Sequence, residues 1–154
     1  MKKVIMICCL FTLIGCKTKI VNGKTVEKPT PPAELTKTEE TQENKAYGLG
    51  KRILTTCNTT KFTPFTTEEA TDKVIANSTL ENINKICVKY SLKYGLFKDL
   101  EFVEMVHNQT DNANVYRFKA HFEYDKANKE LRVTMNSENK ASAISTKDWK
   151  DEFE

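Results

Sequence analysis

The spacing of apolar residues changes its period once along this chain, at Gly95, and that change limits the folds open to it. Before Gly95 apolar side chains recur every three or four residues, as on one face of a helix; after it they alternate with polar ones, as on a half-buried strand. Ala46, Leu49, Ile53, Leu54 and Cys57 predict a first helix, with Gly48 and Gly50 costing helix propensity but allowing close approach to a neighbour. Thr66 and Glu69 have the form of a capping box, with Phe65 stapled toward Ala70 and a short helix running to about Asn77. A second box, Ser78-Thr79-Leu80-Glu81, opens a longer helix whose stripe is Ile83, Ile86, Cys87, Tyr90 and Tyr94, closed by Gly95.

Beyond Gly95, Val115 to Tyr124 places Tyr116, Phe118, Ala120, Phe122 and Tyr124 on one face and Arg117, Lys119, His121 and Glu123 on the other. Lys129 to Asn136 alternates Leu131, Val133 and Met135 with Glu130, Arg132 and Thr134, and Lys140 to Thr146 follows more weakly. Leu100 to His107 comes before them and is apolar on both faces. Asn108 to Asn112 and Asp125 to Asn128 are rich in turn formers. Helices first and an antiparallel meander second is an α+β arrangement: two or three helices packed on one face of a curved four-stranded sheet.

The core is confined to the C-terminal part. Every aromatic residue except Phe11 lies from Tyr47 onward, and Pro29, Pro31 and Pro32 fall in the aromatic-free stretch between Cys16 and Tyr47. That stretch is too polar to offset its own ordering entropy and reads as a tether with a typical span of roughly 30 Å. The organisation expected is therefore a leader over 1–15, a linker over 16–44 and one domain over 45–154. A chain of 154 residues leaves room for no second domain.

The leader is specific. Met1-Lys2-Lys3 is basic, and Val4 to Ile14 is uncharged and apolar apart from Thr12, too short to span a bilayer but long enough for an export signal. It ends Leu13-Ile14-Gly15-Cys16, and here the chain resembles bacterial lipoproteins, whose lipobox sets branched apolar residues and a small residue before a cysteine. The resemblance implies a diacylglyceryl group on the Cys16 thiol, cleavage after Gly15 and further acylation of the new amino terminus, with palmitate-type chains. Two or three such chains give stable anchoring where one holds only marginally. The alternative is an ordinary secretory signal cut elsewhere. The implied location is the bacterial cell envelope, facing periplasm or cell surface; Lys17 after Cys16, where an Asp marks retention at the inner membrane, favours the outer membrane.

Loss of residues 1–15 removes Lys2 and Lys3 and no acid, so the formal charge falls from +3 to +1. Such a balance leaves no basic stripe for nucleic acid. Cys57 and Cys87 remain beside Cys16, and in an exported protein they are either bridged or packed as two buried thiols.

The order of elements, with the runs Tyr116-Arg117-Phe118-Lys119-Ala120, Lys129 to Asn136 and Lys140 to Ile144, also resembles the cystatin-like, ketosteroid-isomerase-type cone fold, also termed nuclear-transport-factor-2-like, and small lipoproteins of unknown function that end in such a domain. Catalytic members of that fold use pocket carboxylates with a tyrosine; many others bind or dimerise without catalysis. The resemblance implies that Glu104, sharing a strand face with Phe102 and Val106, would act as a pocket base with Tyr116 or Tyr124 polarising the substrate. The competing reading puts Val103 and Met105 toward the core and Glu104 in solvent. No cofactor is expected, and His107 and His121 lack the partners of a metal site. No nucleophile elbow or phosphate loop is present in the sequence. Asn58-Thr59-Thr60, Asn77-Ser78-Thr79 and Asn108-Gln109-Thr110 match glycosylation acceptors by chance composition. Trp149 and Phe153 suggest a last helical turn closing the sheet, or else an exposed aromatic recognition point. The reading that follows is a membrane-anchored, non-catalytic module for a protein or small-molecule ligand, with an isomerase or hydratase as the alternative. The Arg117, Lys119, His121, Glu123 face offers itself for a homodimer.

Overall fold

The computed structural model describes residues 37–124 and 129–153, with side chains from Glu40 onward. The expected leader, Cys16, most of the linker and the Asp125–Asn128 turn lie outside the described residues. The fold is α+β: three helices, α1 (Lys37–Thr59), α2 (Asp72–Asn77) and α3 (Leu80–Tyr94), precede four strands, β1 (Phe97–Asn108), β2 (Ala113–Phe122), β3 (Lys129–Met135) and β4 (Ala141–Asp148). The strands form one antiparallel sheet in sequence order.

Period-2 alternation turns Leu100, Tyr116, Phe118, Ala120, Phe122, Leu131, Val133 and Met135 inward, where all are buried under the helices. Full burial of one such large apolar side chain stabilises by about 1.5–3 kcal/mol. Gly50 is required here, since a Cβ on it would run into the Leu131 side chain; Gly48 faces open space. α3 adds an aromatic cluster in which Tyr94 packs on Phe122 at 5.5 Å and Phe97 on Phe122 at 5.7 Å. A disulfide joins α1 to α3 through Cys57 and Cys87, whose Cα atoms are 4.8 Å apart.

Four expectations need correction. The first helix begins at Lys37, ahead of the Ala46 at which the apolar stripe begins. Its added turns are fixed by polar contacts: Gln42 Oε1 accepts from Asn114 Nδ2 at 3.0 Å and from the Tyr116 hydroxyl at 3.1 Å, and Lys45 Nζ donates to the carbonyl of Asn139. Half of the Thr66–Glu69 box forms, Thr66 N donating to Glu69 Oε2 at 3.0 Å while Glu69 N bonds the Thr66 carbonyl, and the segment makes a single turn. The chain then pairs Ala70 with Ala141, and Thr71 N donates to the Ala141 carbonyl at 3.0 Å, so the helix restarts only at Asp72. That pairing covers part of the β4 edge, which would otherwise be open to another strand. On α3 the N-cap is Thr79, accepting from Asn82 N, and Ile86 is exposed. Lastly, residues 149–153 form no helical turn.

Candidate functional site

The outer sheet face carries what alternation put there, but not in solvent. β2 pairs Arg117 with Glu104 of β1 and Arg132 of β3, and Lys119 with Glu130. Arg117 has no accessible side-chain surface and Glu130 only 1%. Arg117 Nη1 donates to Glu104 Oε1 at 2.7 Å. Its Nε lies 3.0 Å from Glu130 Oε2, a charge contact without hydrogen-bond alignment. Arg132 Nε meets the other Glu130 oxygen. Two guanidinium groups and two carboxylates thus form an alternating quartet without net charge. Such a buried set is costly to desolvate and costlier to leave half-paired.

What buries it is the segment after β4. Trp149 lies over Arg117, with Cζ 4.4 Å from the ring centre, and Phe153 over Arg132 at 4.2 Å. The Lys150 carbonyl accepts from Arg117 Nη2. Trp149 therefore acts neither as a helical turn nor as a free recognition point; it roofs a buried cation.

The pocket constellation does not assemble. A register shift between Phe102 and Glu104 leaves Val103 as an extra residue, so Phe102 and Met105 both pack on the core while Glu104 turns outward to Arg117. Tyr116 points to the opposite, inner face, its hydroxyl on Gln42, and Tyr124 is 53% exposed beyond the end of β2. Glu104, Tyr116 and Tyr124 share no cavity, and the carboxylate is occupied by a guanidinium. The face proposed for dimerisation is likewise partly covered, because Lys119 as well as Arg117 lies under the Trp149 ring.

His121 pairs with Glu101 at 2.8 Å and His107 with Asn114 at 2.8 Å, both at the surface. Among the described residues no group of three potential metal ligands occurs. At the rim between α1 and β1, Asp99 Oδ1 accepts from the Tyr47 hydroxyl at 2.7 Å and from Lys51 Nζ at 3.0 Å. The Tyr47 hydrogen bond first, then the Leu100 N–H and Lys51, hold the Asp99 carboxyl at about 2, below its usual 3.8.

Two clefts open on the helical side. One, of about 170 Å³, lies between α2 and β4 beside Lys73, Asn77 and Ser142. The other, of about 510 Å³, runs along the disulfide and is lined by Cys57, Thr60, Cys87, Val88, Ser91 and Leu92. The residues lining them include no carboxylate and no histidine. Next to the second cleft α3 presents an apolar ridge to solvent, with Val88 63% and Leu92 82% exposed. These two are four apart, on the side of α3 opposite its buried Ile83, Cys87 and Tyr94.

In comparison with known proteins the chain matches no family model, no curated protein and no solved structure.

Proposed function

We propose that the chain is a lipid-anchored protein of the bacterial envelope, cut after Gly15 and acylated on Cys16, whose domain is a non-catalytic binding module for a protein or small ligand. The observation that carries this reading is the Leu13-Ile14-Gly15-Cys16 motif at the end of an apolar segment behind two lysines. The Cys57–Cys87 bridge supports it, because disulfides persist in exported proteins and are rare where glutathione keeps thiols reduced. The order of three helices and then a four-stranded meander supports the likeness to cone-fold binding domains, and the outer membrane is the favoured site because Lys17 follows Cys16.

The non-catalytic part rests on the outward turn of Glu104, which ties the one candidate base to Arg117. The test is the mass of the native protein purified from membranes. A diacylglyceryl-cysteine at position 16 with residues 1–15 removed is expected, together with detergent-phase partitioning that Cys16→Ser abolishes. An unmodified thiol, or release by a detergent-free wash, would overturn the reading.

A further inference from the structure

We propose that the outward ridge of α3, Val88 and Leu92 with the neighbouring lysines Lys85, Lys89 and Lys93, is a contact surface for the anionic headgroup layer of a bilayer. The inference rests on the anchored reading above, and it adds which side of the domain would meet the membrane.

A leucine 82% exposed on the outermost line of a helix is not held there by the fold, since α3 is fixed from the other side by Ile83, Cys87 and Tyr94 and by the disulfide. The charged residues of α3 itself are basic except for Glu81. Lys85, Lys89 and Lys93 stand on the exposed turns of α3; Glu81 pairs with Lys85 at 2.8 Å, and Lys93 lies over the Tyr94 ring within electrostatic reach of Asp148 on β4. The exposed Glu81–Lys85 pair is weak and easily exchanged for another anion. Leucine and valine flanked by lysine stems is the composition of a helix that lies in the headgroup layer, the apolar tips entering it and the ammonium groups staying at phosphate level.

Covalent reach permits the contact. The chain between Cys16 and Lys37 extends at most about 70 Å, and α1, whose C-terminal end bears Cys57 beside α3, is only about 35 Å long. Anchoring also turns the encounter into an intramolecular one, so two apolar side chains and three lysines suffice where the free domain would bind weakly.

The test fixes the anchor chemically. In the mature chain, residues 16–154, Cys57 and Cys87 are bridged and Cys16 carries the remaining thiol, so a maleimide lipid on Cys16 tethers the protein whether or not cells acylate it. Vesicles of brominated phosphatidylglycerol then quench tryptophan by contact. With Leu92→Trp in a Trp149→Phe background, quenching about threefold stronger than that of native Trp149 on the far side of the sheet is expected, falling with brominated phosphatidylcholine and with Lys89→Glu. Equal quenching at the two positions, or quenching indifferent to headgroup charge, would overturn the proposal. So would light scattering that shows self-association of the mature chain lost on Leu92→Glu, which would assign the ridge to a second copy. Failure of acylation is read separately, from the mass of the native protein.

Discussion

The two faces of this one sheet are built by opposite means. The inner face is apolar, covered by helices held by many contacts, and its stability is spread over Phe118, Leu131, Val133 and their neighbours. The outer face is charged and covered by five residues at most, Trp149 to Phe153, and its burial is concentrated on Arg117 and Glu130. Apolar packing degrades gradually because each contact is small. A buried ion network degrades abruptly, since removing one charge strands its partner.

The difference is sharpest under substitution. Phe118→Ala, on the inner face, should cost about 4 kcal/mol in urea unfolding, as transfer and cavity terms add. Glu130→Gln on the outer face should cost about 3 kcal/mol, although it removes no apolar surface, because Arg117 keeps its burial and loses a carboxylate. The comparison breaks if the pair Arg117→Met with Glu130→Leu is as destabilising as Glu130→Gln alone. The expected result is recovery of at least half of the loss, since Glu104 and Arg132 retain access to water. Trp149→Ala should cost about 1 kcal/mol, the worth of a partly buried cation–π contact, and should be smaller still in an Arg117→Met background. An undiminished Trp149→Ala effect there would mean that the ring is held by something other than the guanidinium.

How much of this was readable beforehand follows from the same contrast. The inner face was written in the alternation of β2 and β3 and in the helical stripes, because burial against apolar neighbours leaves a periodic mark. Alternation also put Arg117 and Glu130 on the outer face, but a strand pattern cannot tell a solvated charge from one under a roof. The roof depends on the path of the chain after Asp148, and the only local sign is an aromatic residue directly following a strand. The start of α1 was missed for a related reason: Gln42 and Lys45 hold it through hydrogen bonds to loops distant in sequence. The Val103 bulge was missed too, and with it the face of Glu104, because Phe102 and Met105 both face inward only when one residue is left over between them. The disulfide was permitted by the pair of cysteines; its formation needed the two helices to be placed side by side.

The smallest expected effect sits where the helical layer meets the sheet edge, at the Tyr47–Asp99–Lys51 cluster. Asp99 has a carboxyl held at about 2 against an ordinary 3.8, so its contribution is present above the ordinary value and is lost as pH falls through that of the folded state. Its side chain is 55% exposed, and screening by water reduces the effect to about a few tenths of a kcal/mol. Asp99→Asn should therefore be less stable than the native chain by that amount above about pH 4, with the gap closing toward about pH 2. Urea unfolding of both proteins at matched ionic strength measures it. A gap that persists undiminished at the acid end would show that Asp99 acts through hydrogen bonds its neutral form also makes, and not through its charge. The rim at Asp99 would then be held by uncharged contacts like those at the centre of the helical layer, in contrast to the ion network of the outer face.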